Sequence, residues 1–239
     1  LLGGGSLDAD GEADKGGVLS LLDGLQCLLT TAVLTRAHEA ALLRTFAACN
    51  LFEVRPRSYG GGRTGTLVPS LRQIFHYVSG GAANKEEQLV RVLSRAASDE
   101  WLSGGGALVF TRTLEDASRL ASLLGERSPE WGEPRALHDD LSPAEREEVL
   151  GAVRSRECTL LVCCGMAVRG LDLPDLRHVI LYDVPKDIAG YVHAAGRTAR
   201  RGRQGVVTCL VESQAQLGKY RQLHALTRGP QLAFAAAEG

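Results

Sequence analysis

The feature that most constrains this chain is an alternation of short apolar runs and amphipathic segments that starts near Leu71. Runs such as Ala107–Phe110 are short and continuously apolar, which is typical of strands that are buried on both faces. Between these runs lie segments such as Leu114–Leu124, in which apolar residues recur at helical spacing. Strands that alternate with helices predict a parallel sheet with helices on both faces, in the α/β class.

The boundaries of the predicted elements can be read along the chain. The predicted strands are Ile74–Val78, Ala107–Phe110, a strand ending in Ala136–His138, Thr159–Cys163, His178–Tyr182 and Val206–Val211. The predicted helices are Asn84–Ala97, Leu114–Leu124, Ser142–Val153, Asp187–Ala195 and Gln214–Thr227. Ser142 followed by Glu145 predicts a capping box at the start of the third of these helices.

Composition predicts how the chain is divided. A Gly- and Asp-rich start without apolar periodicity predicts a flexible acidic insertion. A Gly- and Arg-rich stretch at Arg55–Arg63, which has no apolar pattern, predicts a linker. Between them, a strand-like run at Gln26–Thr31 and a helix from Thr35 to Ala48, with Ala40, Leu43 and Ala47 on one face, predict the end of an earlier domain. The predicted divisions are the insertion 1–24, the fragment 25–54, the linker 55–70, the main domain 71–228 and a tail 229–239.

Charge and cysteine content narrow the classes of function. The formal net charge of −1 excludes a protein that coats nucleic acid by charge alone, so any such contact must come from a local basic site. No apolar run is long enough for a transmembrane helix, and no signal peptide is visible. The six cysteines form no C-x-x-C pair, which favours reduced thiols over zinc ligands or disulfides. We therefore expect a reducing intracellular compartment, with nucleus, cytoplasm and an organelle such as the mitochondrion left open.

The candidate functional residues follow the predicted strands, because ligands of open α/β sheets bind beyond the carboxyl ends of the strands. The richest string is His193–Arg203, which contains four arginines: Arg197, Arg200, Arg201 and Arg203. On a helical turn, Arg197 and Arg200 would project to one side. Two guanidinium groups on one side suit a polyphosphate, although a solvated basic loop is the alternative.

The chain contains five strings that can be compared with known motifs: Gln26–Leu34, Leu108–Thr113, His138–Arg146, Val162–Asp172 and Tyr191–Arg203. They occur in the order and at the spacing of the motifs of DEAD-box RNA helicases, and the resemblance covers about residues 25–228. Leu108–Thr113 resembles motif IV, and His138–Arg146 resembles the segment that follows it in the family. Val162–Asp172 resembles motif V, and Tyr191–Arg203 resembles motif VI. Upstream, Gln26–Leu34 is similar to the strand that holds motif III.

The resemblance implies a RecA-like helicase C-terminal lobe, preceded by a fragment of a second RecA-like lobe. It implies an ATP-dependent RNA helicase acting in RNA remodelling or ribonucleoprotein assembly, such as ribosome biogenesis. Arg197 and Arg200 match the arginine fingers that neutralise charge on the γ-phosphate of ATP. His193 matches a link to the acidic motif of the first lobe, and Asp172 matches an acid near the ATP ribose. ATP and Mg²⁺ would be held mainly by the N-terminal lobe that this chain lacks.

The same resemblance implies RNA binding through the phosphate-sugar backbone. Arg112, Arg169 and Gly170 fall at or beside positions that hold RNA phosphates in the family. Thr111, Cys164 and Arg201 complete the predicted RNA-binding set. An internal salt bridge is the alternative for Asp172 and Arg169, and a structural imidazole is the alternative for His193. RNA, the missing lobe and proteins of a ribonucleoprotein are the expected partners, and no membrane is expected.

The chain also departs from the family pattern. Motif V has Cys164-Gly165 where the family has Thr-Asp, and motif VI has Ala194 and Ala199 where the family has Arg and Gly. Motif III reads Thr31-Ala32-Val33, and the chain contains neither a G-x-x-x-x-G-K-[ST] loop nor an Asp-Glu-Ala-Asp string. We therefore predict that this chain alone is inactive as an ATPase. A degenerate lobe that binds RNA or serves as a scaffold is the alternative to an enzyme lobe.

Overall fold

The architecture is taken from a computed structural model, which describes residues 36–45, 67–99, 102, 104–164, 173, 176–185, 187–218 and 232–235. All of these residues lie in one compact unit, Val33–Gly239. The predicted insertion 1–24, the strand-like run Gln26–Thr31 and most of the linker lie outside the described residues.

Within the described ranges, seven strands form one sheet in which every pairing between neighbouring strands is parallel. The sheet order is β3-β4-β2-β5-β6-β1-β7. The parallel sheet confirms the predicted α/β class, and each predicted strand is present with its bounds shifted by three residues or fewer. The strands are β1 Leu71–Tyr77, β2 Gly106–Thr111, β3 Arg135–Leu137, β4 Leu160–Cys164, β5 Leu176–Leu181, β6 Gly205–Val211 and β7 Leu232–Ala235.

Three of the described helices begin where the sequence supplies a side-chain cap. Ser142 and Glu145 form the predicted capping box, and the side chains of Thr113 and Asp187 cap two further helices. Residues 214–218 are also helical, and the rest of that predicted helix lies outside the described residues. The helices are α1 Arg36–Thr45, α2 Ala82–Ser98, α3 Leu114–Arg127, α4 Pro143–Ser155 and α5 Ile188–Ala195, with a 3₁₀ turn at Pro129–Trp131.

The core consists of two layers, one on each face of the sheet. Successive strand residues alternate between them, so that Leu161 packs with α4 and α5 while Val162 packs with α2 and α3. All seven residues of β6 are buried, because β6 is covered on both faces. The apolar stripe predicted for α3 is confirmed at Leu120 and Leu124, which are fully buried.

Helix α1 is present within its predicted bounds, but its predicted apolar face is not buried. Leu43 is 57% exposed and Ala40 is exposed, whereas Ala47 lies outside the described residues. Among the helices that the structure describes, none combines the length and the apolar character that crossing a membrane requires.

Two polar pairs inside the sheet layers fix how its central elements pack. The Tyr191 hydroxyl of α5 donates a hydrogen bond to Gln73 of β1, and both side chains are fully buried. His178 of β5 lies 2.7 Å from the hydroxyl of Thr208 on the neighbouring strand β6. Burial, together with a smaller contribution from His76, lowers the pKa of His178 to about 3. His178 is therefore neutral in the folded protein near neutral pH.

This buried histidine predicts a loss of stability in acid. Below pH 6.5 the unfolded chain protonates His178 while the folded protein does not, down to a pKa of about 3. The free energy of unfolding should therefore fall by about 2 kcal/mol between pH 7 and pH 5 from this residue alone. His178→Gln keeps a hydrogen-bonding side chain but cannot titrate. Urea unfolding at both pH values should show a smaller fall for the variant, and parallel curves for the two proteins would contradict the assignment.

Candidate functional site

Asp183, just beyond the end of β5, joins the carboxyl ends of two strands. Its Oδ2 accepts a hydrogen bond from the backbone N–H of Arg112 at 2.8 Å, just beyond the end of β2. Its Oδ1 lies 3.7 Å from the guanidinium of Arg112. The Arg112 side chain is nevertheless 72% exposed, whereas that of Asp183 is 11% exposed. The carboxylate thus fixes the backbone of this loop while the cation of Arg112 faces solvent.

Lys85, in the first turn of α2, reaches the same cluster from the other side. Its ammonium group lies 3.0 Å from Asp183 Oδ1 and 2.8 Å from Glu212 Oε2, and it lies 4.2 Å above the ring of Tyr182. Burial by itself would lower the pKa of Lys85, but the hydrogen bonds and charges of Glu212 and Asp183 outweigh burial and raise it. The lysine is therefore a fully charged, buried cation.

The two other predicted RNA-binding residues at this edge use their side chains inside the protein. The Thr111 hydroxyl is buried, donates to the carbonyl of Thr113 at 3.0 Å and lies 3.3 Å from that of Cys163. The thiol of Cys164 donates to the carbonyl of Arg112 at 3.4 Å. Burial and nearby carboxylates, among them Asp183, raise the pKa of Cys164, so the thiol stays protonated and can keep donating. Both side chains brace the loop that carries Arg112.

The arginine-rich string forms a turn between α5 and β6, which we call the arginine turn (residues 196–204). It begins with N–H donation from Gly196 and Arg197 back to carbonyls of α5. The Thr198 side chain is 2% exposed and donates to the carbonyl of Leu176 at 2.8 Å. Arg200 donates its Nε–H to the carbonyl of Gly196 at 2.8 Å. The turn is therefore tied to α5 and to the start of β5.

Two details of the turn differ from the sequence-based expectation. Helix α5 ends at Ala195, and Ala199 has a left-handed φ of 55°, so a regular helical turn does not set the directions of Arg197 and Arg200. The turn also lies at the amino end of β6, because the helix after β5 runs back antiparallel to the strands. The expectation that the string His193–Arg203 lies beyond the carboxyl ends of the strands is therefore wrong. Arg201, placed in the RNA-binding set, belongs to this turn and not to the edge that carries Arg112.

The remaining predicted residues are placed as follows. His193 is exposed near the end of α5. The positive charge of Arg197 acts on Cys163 of β4, where it opposes the burial that raises the pKa of that thiol. Arg169, Gly170 and Asp172 lie outside the described residues, as does most of the segment that resembles motif V. Among the residues that the structure describes, no cluster of His, Cys, Asp and Glu is arranged to hold a metal ion.

Sequence reasoning missed Lys85 and Glu212. A signal for Lys85 was available, because it falls on the stripe of α2 that also carries Leu89, Val92 and Ala96. A lysine on a buried stripe needs a partner. Its position in the first turn is also unfavourable to the helix dipole, which calls for nearby carboxylates. Glu212 carried no comparable signal, since an acid after a strand is ordinarily solvated.

The comparisons with known proteins agree with this architecture. Residues 84–202 match the family model described as the helicase conserved C-terminal domain. S. cerevisiae Dbp5 bound to RNA and ADP BeF3 is similar in fold, with a TM-score of 0.71 and 21% identity over 87% of this chain and 50% of that chain. E. coli SrmB bound to regulator of ribonuclease activity A gives a TM-score of 0.55 and 27% identity over 68% of this chain and 88% of that one. Mss116p DEAD-box helicase domain 2 bound to an RNA duplex gives a TM-score of 0.60 and 24% identity over 70% of this chain and 64% of that chain.

The parallel sheet, the two helical layers and the matched segment define a RecA-like helicase C-terminal domain. Solved structures that share this fold include DEAD-box proteins, and residues 84–202 of this chain match the helicase conserved C-terminal domain. The chain spans about half the length of the Dbp5 chain that it matches.

The packing of the arginine turn against β6 can be tested at Gly205. A Cβ added there would lie 2.3 Å from the hydroxyl of Thr198 and 2.5 Å from the backbone nitrogen of Ala199, so the turn would have to shift. Gly205→Ala should lower the free energy of unfolding by about 1–3 kcal/mol. Gly151→Ala is the matched control, because its Cβ would meet nothing within 4 Å in the middle of α4. The control should raise stability by about 0.5–1 kcal/mol in urea unfolding. Equal effects of the two substitutions would contradict the tight packing of the turn.

Proposed function

We propose that this chain is the C-terminal lobe of an ATP-dependent RNA helicase of the DEAD-box type, which acts in RNA remodelling or ribonucleoprotein assembly. The observation that carries the proposal is the separation of two basic sites on one rigid sheet. Arg112 stands beyond the carboxyl end of β2, and the arginine turn stands at the amino end of β6. A lobe that couples nucleotide hydrolysis to RNA binding needs two such sites, each held by the same core.

The arginine turn is the proposed nucleotide-facing site. Arg197 and Arg200 are the arginine fingers, and their role is to neutralise the charge that develops on the γ-phosphate during transfer. The hydrogen bonds of Thr198 and of Arg200 Nε hold the turn in place before ATP arrives. His193 is a link to the first lobe, and Asp172 approaches the ribose. ATP and Mg²⁺ would be held mainly by an N-terminal lobe, and the arginine turn would supply the cations that face the nucleotide.

The carboxyl edge is the proposed RNA-facing site. The exposed guanidinium of Arg112 contacts a phosphate, and Arg169 and Gly170, which follow β4 in the sequence, contribute further contacts. The thiol of Cys164 is engaged by the carbonyl of Arg112, and a thiol is a weaker donor than the threonine hydroxyl of the family. RNA contact here is therefore weaker than in a family member with Thr-Asp, and it is mainly electrostatic.

A non-catalytic lobe that serves as a scaffold or RNA-binding factor in a ribonucleoprotein, such as a maturing ribosome, is the second candidate. The observation that favours it is the same Cys164 contact, because the thiol braces the loop internally and offers little to RNA. In that case Arg112 and its loop meet protein, and the arginine turn has no nucleotide to act on.

The RNA-facing site predicts a specific change in salt dependence. Arg112→Ala in the full chain removes one phosphate contact, so the slope of log Kd against log salt concentration should fall by about 0.7 for single-stranded RNA. The measurement is fluorescence anisotropy with a labelled poly(U) RNA of about ten nucleotides. Arg154→Ala is the matched control, because it removes the same charge from α4, where Arg154 pairs with Glu147. Equal slopes for the two variants would count against RNA contact at Arg112.

The nucleotide-facing site predicts a loss of turnover without a loss of RNA affinity. This chain alone should hydrolyse no ATP above background, and Arg197→Ala should not change that result. In a protein that also contains an intact N-terminal lobe, Arg197→Ala or Arg200→Ala should lower ATP turnover by about 10³. RNA affinity, measured on the same protein, should stay within about twofold, because neither residue belongs to the carboxyl edge. Equal losses of turnover and RNA affinity would reassign both residues as phosphate anchors.

A further inference from the structure

Lys85 is the point at which three elements of the carboxyl edge are joined. It extends from α2, its ammonium group contacts Asp183 after β5 and Glu212 after β6, and its side chain is only 5% exposed. A buried lysine is costly unless its charge is matched by partners that are held in place. Both carboxylates follow strands of the rigid sheet, so the position of the ammonium group is well defined.

The two oxygens of Asp183 have different partners. Oδ1 accepts from Lys85 at 3.0 Å, and Oδ2 accepts from the backbone N–H of Arg112 at 2.8 Å. The guanidinium of Arg112 stands further off, 3.7 Å from Oδ1. The contact with Lys85 therefore orients the carboxylate so that its second oxygen meets the backbone of the Arg112 loop.

We propose that Lys85 is a positioning residue for RNA binding, because it holds Asp183 so that Arg112 is fixed by its backbone and keeps its guanidinium available to a phosphate. This inference rests on the proposed function, since it takes Arg112 as an RNA contact. Lys85 also neutralises part of the negative charge of Asp183. Without it, the guanidinium of Arg112, 3.7 Å from Oδ1, remains as a cation beside that carboxylate and would be drawn inward and away from RNA.

The effect on Arg112 must be separated from a simple change of charge near RNA. Lys85→Met combined with Glu212→Gln removes one positive and one negative charge, so the net charge of the cluster stays as in the wild type. Asp183 then loses its lysine but keeps its position after β5. This charge-balanced double variant isolates positioning from long-range electrostatics. Lys85→Gln with Glu212→Gln is a second version, which leaves an amide donor near Asp183 if the first does not fold.

The test is a coupling cycle measured as poly(U) RNA affinity of the full chain at low salt. The charge-balanced variant should raise Kd about tenfold, the cost of one misplaced charge-assisted contact. In an Arg112→Ala background the same two substitutions should change Kd by about twofold or less, because the residue through which Lys85 acts is already gone. An unchanged Kd for the charge-balanced variant, or an equal loss with and without Arg112, would overturn the inference.

A second readout does not depend on RNA. An amide proton that is bound to a carboxylate resonates downfield, so the Arg112 N–H should move upfield in the charge-balanced variant, while the amides of Thr198 and Gly205 in and beside the arginine turn keep their positions. If the Arg112 amide stays in place, Lys85 does not hold the loop, and the inference is wrong even if Arg112 binds RNA. If the amide moves but Arg112→Ala leaves RNA affinity unchanged, the proposed RNA contact is wrong, and the assignment of Lys85 to RNA binding falls with it.

Discussion

Burial of the central strands on both faces is the constraint on which the rest of this structure depends. Every residue of β6 is buried, and β2 and β4 are almost as closed. Most polar groups inside such a sheet are paired, as the Nε2 atom of His178 is with Thr208 and Tyr191 is with Gln73, whereas the buried Nδ1 atom of His178 has no hydrogen-bond partner. Groups that meet a ligand are therefore confined to the ends of the strands and to the turns between elements, where the candidate residues lie.

At the carboxyl edge, one buried cation organises a set of carboxylates around it. Lys85 connects α2 to the ends of β5 and β6. Asp183 in turn fixes the loop after β2, because it accepts a hydrogen bond from the backbone N–H of Arg112. A surface ion pair would contribute little to such order, since solvent screens it and its side chains stay mobile. The 5% exposure of the Lys85 side chain makes this pair different, because the lysine and Asp183 must stay together once they are desolvated.

The departures from the family pattern are explained in part by the packing. Ala194, where motif VI has Arg, is 6% exposed and packs in the core layer that contains Tyr191 and Val207, so the position supports the fold here. Ala199, where the family has Gly, keeps the left-handed backbone that a glycine would adopt more readily. Cys164 replaces a hydroxyl with a thiol that donates inward. The backbone frame of the site is retained, while the chemistry that it offers is changed.

The fold class and nearly all described elements could be predicted from the sequence, because continuous apolar runs and helical stripes are local patterns that burial imposes. Ser142 with Glu145 predicted a helix start for the same reason, since a cap acts within four residues. The partners of Lys85 could not be predicted, because Asp183 and Glu212 lie far from it in sequence and meet it only through the sheet order. Only the tertiary structure decided that Arg201 and Arg112 stand at different ends of the sheet. A helix after a parallel strand carries the chain back to the amino edge, and sequence distance alone does not show that return.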